Sequence, residues 1–223
     1  MNLNSHASHT SRSRLAQAAS KLPWLPALAA FVSGCAHMMN VNVKPATLAA
    51  STKSPARIAL VLNKSFTSFT DTRHMMGDTY VSRLGPALED YAKNVTQNVF
   101  GEVSVYPSAA EAAGKADAIL TPKVLKFDES YGVWAGSDHQ MVMIIKWTMM
   151  NRDDQRFLWL DSIEARGEGK MGNLFTYKKN HLKVLQRLFN DLGAKTQKAL
   201  LEIPEVKPLS SGGGQQPAQR VMP

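Results

Sequence analysis

Two apolar segments in the second half of the chain constrain its fold more than any other feature. They are "QMVMIIKWTMM" (140–150) and "RFLWLDSIEARGEG" (156–169), and the polar stretch "NRDDQ" separates them. Both are rich in residues that favour strands, and five polar residues are enough for a turn, so we predict a β-hairpin. A hairpin alone is marginally stable in water, so other elements must cover its apolar side.

The flanking sequence supplies those elements. Three shorter apolar runs predict strands: "ARIALVL" (56–62), "EVSVYP" (102–107) and "DAILTPKVLKF" (117–127), with an edge or a bulge at Pro122. "SAAEAAGKA" (108–116) predicts a small helical turn. Apolar residues at helical spacing predict two amphipathic helices: Leu84, Leu88, Tyr91, Val95 and Val99, then Leu182, Leu185, Phe189, Leu192, Thr196 and Leu200. Tyr80 continues the first period, which predicts a start near Asp78 and a bend at Pro86.

This order of elements predicts an α+β fold. The economical arrangement is a mostly antiparallel sheet of about five strands, with the two amphipathic helices on one face. The folded domain is predicted to cover residues 56–203. Residues 36–55 lack periodicity and predict a tether, and the Pro-, Gly- and Gln-rich residues 204–223 predict a disordered tail.

Helices on one face of a sheet should leave the other face polar, yet the hairpin is apolar on both faces. Met141, Met143, Ile145, Trp147 and Met149 alternate with Val142, Ile144 and Met150. A second apolar face requires either a cover, such as the tether or the Ala-rich turn, or a docking partner. We therefore identify Met143, Trp147 and Trp159 as a hypothetical partner surface, because Trp and Met often act as binding hot spots.

A search for catalytic or metal-binding patterns predicts neither. No HExxH and no Gly-x-Ser-x-Gly motif is present, and the Gly-rich "RGEGKMG" (166–172) lacks the Ser or Thr of a phosphate loop. "DTRH" (71–74) and "SDHQ" (137–140) put an acid near a histidine, but both segments are typical of solvated polar loops. The sequence thus predicts no catalytic residue, no metal ligand and no cofactor.

The last helix has a basic face. Lys178, Lys179, Lys183, Arg187, Lys195 and Lys198 lie on it. Such a face usually serves only solubility, and the alternative is contact with anionic headgroups or with an acidic partner.

The N-terminus contains the only cysteine, Cys35. A basic segment (12–21) is followed by the apolar "LPWLPALAAFV" (22–32), then Ser33, Gly34 and Cys35. Eleven apolar residues are too few to span a bilayer, which needs about 20. The layout is that of an export signal over residues 1–34. Removing that segment lowers the formal net charge from +8 to +5, and export disfavours nucleic acid as a partner.

Val32-Ser33-Gly34-Cys35 resembles the lipobox of bacterial lipoproteins. The resemblance implies acylation of Cys35, including palmitate, and cleavage between Gly34 and Cys35, so that the mature chain is anchored to a membrane. In that family an Asp after the lipidated Cys favours the inner membrane. The Ala36 of this chain therefore implies the periplasmic face of the outer membrane. The order of elements also resembles small α/β envelope lipoproteins of the lipopolysaccharide-assembly and transporter-accessory types.

These patterns predict a non-enzymatic, lipid-anchored accessory module in envelope assembly or transport, with an envelope protein as partner. The alternative is a carrier that holds an apolar ligand, such as a lipid, between the sheet and the helices.

Overall fold

The structure is a computed structural model, and it describes residues 36–41, 43, 53–75, 78–132, 134–152, 156–173 and 176–203. In chain order its elements are β1 (Ala36–Asn40), β2 (Ser54–Val61), α1 (Lys64–Thr67), β3 (Thr70–Met75), β4 (Asp78–Arg83), α2 (Gly85–Val99), β5 (Phe100–Tyr106), α3 (Ala109–Ala112), β6 (Ala118–Tyr131), β7 (Asp138–Asn151), β8 (Phe157–Lys170) and α4 (Tyr177–Leu201). The predicted α+β class is confirmed.

The main sheet has five strands in the order β5–β2–β6–β7–β8, and β1–β4–β3 form a separate three-stranded sheet. β6, β7 and β8 are 14-residue strands that pair antiparallel, so the predicted hairpin is β7–β8. β2 pairs parallel with both β5 and β6, and its register with β6 ends at Leu120. Pro122 therefore lies where β6 has lost β2 as a neighbour, and the strand bulges between Val124 and Lys126.

The core lies between this sheet and the helices α2 and α4. Burial alternates along β7, and its buried row comprises residues 139, 141, 143, 145, 147 and 149. Tyr91 of α2 packs edge-on against Trp147 and against Phe189 of α4, with both pairs of ring centroids 6.2 Å apart. Met143 and Trp147 are 0% exposed, so the prediction that they form a partner surface is wrong. Helices α2 and α4 cover the face of the sheet to which this row of β7 belongs.

The opposite face of the sheet is covered only in part. Ala59, Val61 and Ile119 form a small second cluster with Ala112 of α3 and the nearby Ala116, so the Ala-rich turn does act as a cover there. Further along, Phe157 and Leu160 of β8 are 64% and 52% exposed. They, rather than Met143 and Trp147, are the exposed apolar residues of the hairpin.

Two glycines of "RGEGKMG" allow α4 to approach β8. A Cβ built on Gly167 would lie 2.3 Å from the Val184 carbonyl oxygen, and one on Gly169 would lie 2.6 Å from Val184 Cγ2. Both distances are too short for a side chain, so the glycines are required by helix–strand packing rather than by a phosphate.

Two predicted boundaries are wrong. Asp78–Arg83 is strand β4 rather than the start of a helix, and α2 begins at Gly85 with Pro86 in its first turn, where a missing N–H has no cost. The predicted tether is a strand over Ala36–Asn40, and Met39, Val41 and Val43 are buried. These apolar residues alternate along the chain, but the run is too short for the sequence to predict a strand there.

The described residues divide into two compact units, one with those in the ranges 36–37 and 73–80 and the other with those in the ranges 38–72 and 81–203. In the first unit, Thr79 Oγ1 lies 3.0 Å from Nδ1 of the exposed His74. The second unit contains the five-stranded sheet, α2 and α4. Among the described helices, none combines the length and the hydrophobicity needed to cross a membrane.

Candidate functional site

Three titratable side chains meet at one end of the core: Glu129 of β6, His139 of β7 and His181 of α4. The antiparallel register pairs Glu129 with Met141 and Tyr131 with His139. Glu129 and His139 are therefore diagonal neighbours on the face that the helices cover. On α4, His181 is one turn before Leu185 and belongs to the buried stripe of that helix. Side chains alternate between the two faces of β6 and β7, and His181 lies on the buried stripe of α4. All three side chains therefore point into the space between the sheet and the helices.

The Glu129 carboxylate accepts hydrogen bonds from both histidines through one oxygen. His139 Nε2–H donates to Glu129 Oε1 over 2.6 Å, and His181 Nδ1–H donates to the same oxygen over 3.0 Å. An ionised carboxylate can only accept, so these contacts fix which ring nitrogens carry protons. His139 has its proton on Nε2 and His181 on Nδ1.

The three side chains are closed off from solvent. Glu129 is 1% exposed, His139 is 0% exposed and His181 is 2% exposed in their side chains. Burial by itself would raise the pKa of the Glu129 carboxyl, but the hydrogen bonds from His139 and His181 outweigh it and the pKa is lowered to about 2. The carboxylate is therefore charged at neutral pH in spite of its surroundings.

Hydroxyl and aromatic groups surround this cluster. Ser82 Oγ lies 3.4 Å from His181 Nε2, the nitrogen that points away from Glu129. The Tyr177 hydroxyl oxygen lies 3.4 Å from His181 Nδ1, and the Tyr177 ring is nearly parallel to that of His139. The Tyr131 ring meets His139 edge-on at 6.0 Å. These contacts restrict the rotation of both imidazoles.

One ring nitrogen of the cluster, His139 Nδ1, is buried without a hydrogen-bond partner in the described part of the chain. A buried polar atom left unpaired costs about 1–3 kcal/mol. Positions that break the rules of burial are often retained for function rather than for folding.

Chemically, the arrangement offers two imidazole nitrogens and one carboxylate oxygen, all within 4.8 Å of one another. Imidazole and carboxylate are ligands of transition metals. The closed environment leaves the three groups poorly suited to act on a substrate, because an acid or base must come within hydrogen-bond reach of the reacting group.

A basic cleft of about 240 Å³ lies on the outer side of α4. It is lined by Gly169, Lys170, Asn180, Lys183, Val184 and Arg187. Asn180 Nδ2 donates to the Lys170 carbonyl, and Arg187 Nη1 donates to the Glu168 carbonyl over 2.5 Å. These bonds fix the walls of the cleft and leave its cations exposed.

An exposed tryptophan lies on a turn that is hydrogen-bonded to the residue after Lys170 of the cleft. Trp134, in the β6–β7 connection, is 80% exposed. The same turn is bonded to the segment after β8, because Gly136 N–H donates to the Met171 carbonyl and Met171 N–H donates to the Ser137 carbonyl. The cleft and Trp134 are referred to below as the basic-aromatic surface.

The partner-surface residues predicted from the sequence fall outside the cluster around Glu129. Met143 and Trp147 are core residues, and Trp159 is half-buried against the same core. Cys35 and Gly34, the lipidation and cleavage positions, lie outside the described residues, as does the tail 204–223.

The prediction of a polar loop at residues 137–140 is wrong for His139, which is buried in β7. A usable signal was present: His139 continues the alternation of Met141, Met143 and Ile145 by one step. Glu129 was missed because the predicted third strand ended at residue 127, whereas β6 runs to Tyr131. His181 gave a signal too, since it fits the apolar period of its helix.

Comparison with known proteins finds fold similarity only. No family model matches the chain, and no curated protein matches it. Protein XCC0632 from Xanthomonas campestris, of the DUF330 family, is 12% identical over 78% of this chain and 98% of that chain, with a TM-score of 0.47. A minor lipoprotein from Acinetobacter baumannii is 10% identical over 67% of this chain and 93% of that chain, with a TM-score of 0.39.

Lipoprotein GNA1162 from Neisseria meningitidis is 15% identical over 56% of this chain and 92% of that chain, with a TM-score of 0.32. At these identities and TM-scores, the likeness is one of coarse architecture alone.

Proposed function

We propose that this chain is a lipid-anchored, non-enzymatic binding module at the periplasmic face of the outer membrane, acylated on Cys35, that assists envelope assembly or transport. The observation that carries the proposal is the order of residues 12–35: a basic segment, an apolar segment, two small residues and the only cysteine. Two or more acyl chains hold a protein on a membrane stably, because each buried methylene contributes about 0.8 kcal/mol.

The absence of enzymatic activity is part of this proposal. It is supported by the burial of Glu129, His139 and His181, because these side chains are at most 2% exposed and cannot reach a substrate in this conformation. The alternative of an apolar-ligand carrier receives less support. The described space between sheet and helices is filled by Trp147, Tyr91 and Phe189.

The anchor is tested with Cys35→Ser. Wild-type protein should incorporate labelled palmitate, be cleaved and sediment with outer membranes. The Cys35→Ser chain should incorporate no label and remain an uncleaved precursor. A matched control is Ala36→Asp, which should still be acylated and cleaved but should move to the inner membrane. Mature, membrane-bound Cys35→Ser protein would contradict the proposal.

We further propose that the basic-aromatic surface faces the anionic headgroups of the membrane that holds the anchor. The exposed Trp134 and the cations Lys183 and Arg187 support this, because tryptophan favours the headgroup level and each Lys or Arg near an anionic surface contributes about 1 kcal/mol. Lys170 is paired with Asp138.

Vesicle flotation tests this surface without the lipid anchor. The full-length Cys35→Ser chain should bind phosphatidylglycerol vesicles and not phosphatidylcholine vesicles. Trp134→Ala and Lys183→Glu should each weaken binding several-fold. The control is Lys198→Glu, because Lys198 is an exposed cation of the same helix that does not line the cleft. Equal loss in the control would point to non-specific charge attraction.

A further inference from the structure

We propose that Glu129, His139 and His181 bind one divalent transition-metal ion of the zinc class. Two imidazole nitrogens and one carboxylate oxygen converge there, and all of these atoms lie within 4.8 Å of one another. This donor set is typical of zinc sites in proteins. It does not suit calcium or magnesium, which require more oxygen ligands.

The geometry is close to that of a coordinated ion. Around a tetrahedral zinc with bonds of about 2.0–2.1 Å, neighbouring ligand atoms lie about 3.3 Å apart. Here the nitrogens of His139 and His181 are 2.6 and 3.0 Å from Glu129 Oε1. Metal binding at these nitrogens requires the proton of each imidazole to move to its other ring nitrogen, His139 Nδ1 and His181 Nε2, or to solvent, as the two hydrogen bonds are exchanged for bonds to the metal.

The charge of the cluster also favours a cation. Among the described residues, the ion-pair partners of Glu129 are the two histidines. A carboxylate in a closed environment is unfavourable unless it is paired. A divalent cation bound between the three side chains would pair it.

Neighbouring groups hold the ligands in position. Ser82 Oγ lies beside His181 Nε2, the nitrogen that a metal on Nδ1 would leave free. Such outer contacts orient metal-binding histidines. The Tyr177 hydroxyl, 3.4 Å from His181 Nδ1, is near enough to provide or orient a fourth ligand. All three ligands lie on long strands or on a long helix, so the site is rigid.

The site is structural rather than catalytic, because its ligands are at most 2% exposed. The ion would join β6, β7 and α4 at the end of the core where aliphatic packing stops. An ion that binds the folded chain and not the unfolded one raises stability in proportion to its affinity. Metal removal should therefore lower the melting temperature and leave the secondary structure unchanged.

Cobalt and zinc titration tests the site directly. Full-length Cys35→Ser chain, which has no thiol, is stripped with EDTA and titrated with Co²⁺. One equivalent should bind and give the intense visible bands of tetrahedral cobalt. One equivalent of Zn²⁺ should abolish those bands and raise the melting temperature. Both measurements are independent of the membrane anchor and of vesicle binding. A negative result would therefore contradict the metal site without contradicting the proposed function.

Variants assign the binding to these residues. Glu129→Gln and His181→Gln should each weaken cobalt binding by more than about 100-fold, since even changes outside the ligand set reduce affinity about 10- to 100-fold. The control His74→Gln removes an exposed histidine and should bind as the parent does. The proposal is overturned if the parent chain shows no stoichiometric tetrahedral cobalt spectrum, a result that does not depend on the folding of any variant. It is also overturned if folded Glu129→Gln binds cobalt as tightly as the parent.

Discussion

The buried row of β7 has an apolar centre around Trp147 and a polar end at His139, and both regions are buried. At the centre, Tyr91 packs against both Trp147 and Phe189, and all three are 0% exposed. At the end, His139 is equally closed off but contacts the charged Glu129. Helix α4 covers both regions, with Phe189 at the centre and His181 at the end.

The difference teaches what each region contributes. Apolar packing at the centre stabilises the domain through buried area, and Tyr91 completes it by sharing a hydrogen bond with Thr196 across the two helices. At the polar end, desolvation of the Glu129 carboxylate is outweighed by the hydrogen bonds from the two histidines, so the contribution of this region depends on a buried charge. A buried charge held by two histidines is a better candidate for a specific role than apolar packing is.

The largest effect is expected at the apolar centre. Trp147→Ala should lower the free energy of unfolding by about 3–5 kcal/mol, because it leaves a cavity beside Tyr91 in the core. Urea unfolding followed by circular dichroism measures the loss. Lys146→Ala is the control, since the adjacent side chain points to the other face. A similar loss in the control would show that both faces of β7 are core.

The next effect is expected where α4 lies against β8. Gly167→Ala should lower the free energy of unfolding by about 1–3 kcal/mol, because its Cβ would force the helix away from the strand. Since α4 covers both regions, the loss should appear as a lower urea midpoint for the whole domain. Gly101→Ala is the matched control: a Cβ there meets its nearest atom at 3.4 Å. If Gly167→Ala were as harmless as the control, the close contact of α4 with β8 would be in doubt.

A comparable or smaller loss is expected at the polar end. In the presence of EDTA, Glu129→Gln should lower the free energy of unfolding by about 1–2 kcal/mol, because the charge-assisted hydrogen bonds become neutral ones. Replacing all three residues by Leu should restore or exceed the original stability, as apolar replacements of buried ion pairs often do. Should the triple variant be as unstable as Trp147→Ala, the polar end would be a stability element like the centre.

The smallest effect is expected for an exposed ion pair. Arg57 Nη2 donates to Asp117 Oδ1 over 2.8 Å, and this hydrogen bond lowers the pKa of the Asp117 carboxyl. Asp117→Asn should lower the free energy of unfolding by less than about 1 kcal/mol at neutral pH, because solvent screens the pair.

The sign of its pH dependence follows from that lowered pKa. The contribution of Asp117 is present above the ordinary pKa of an aspartate and is lost as the pH falls through the lowered value. Urea unfolding of the wild-type and Asp117→Asn chains at several acidic pH values measures this contribution. A difference that grows as the pH falls would contradict the assignment.

Sequence patterns were sufficient for the elements with long, regular periods. The hairpin β7–β8, the helix α4 and the class of the fold follow from alternation and from the 3.6-residue period, because burial selects apolar residues at those spacings. Short elements were harder. Tyr80 fits a helical period, yet Asp78–Arg83 forms a strand because pairing within a sheet overrides a weak local preference.

The sequence by itself determined the α+β class, the order of the main elements and the N-terminal layout that ends in Cys35. Only the tertiary structure decided which face of β7 is buried, since both faces are apolar and alternation cannot tell which one the helices will cover. It alone also brought Glu129, His139 and His181 together. These residues are 10 and 42 positions apart along the chain, and no local spacing relates them. Their meeting depends on the register of β6 with β7 and on the close approach of α4 that Gly167 and Gly169 allow.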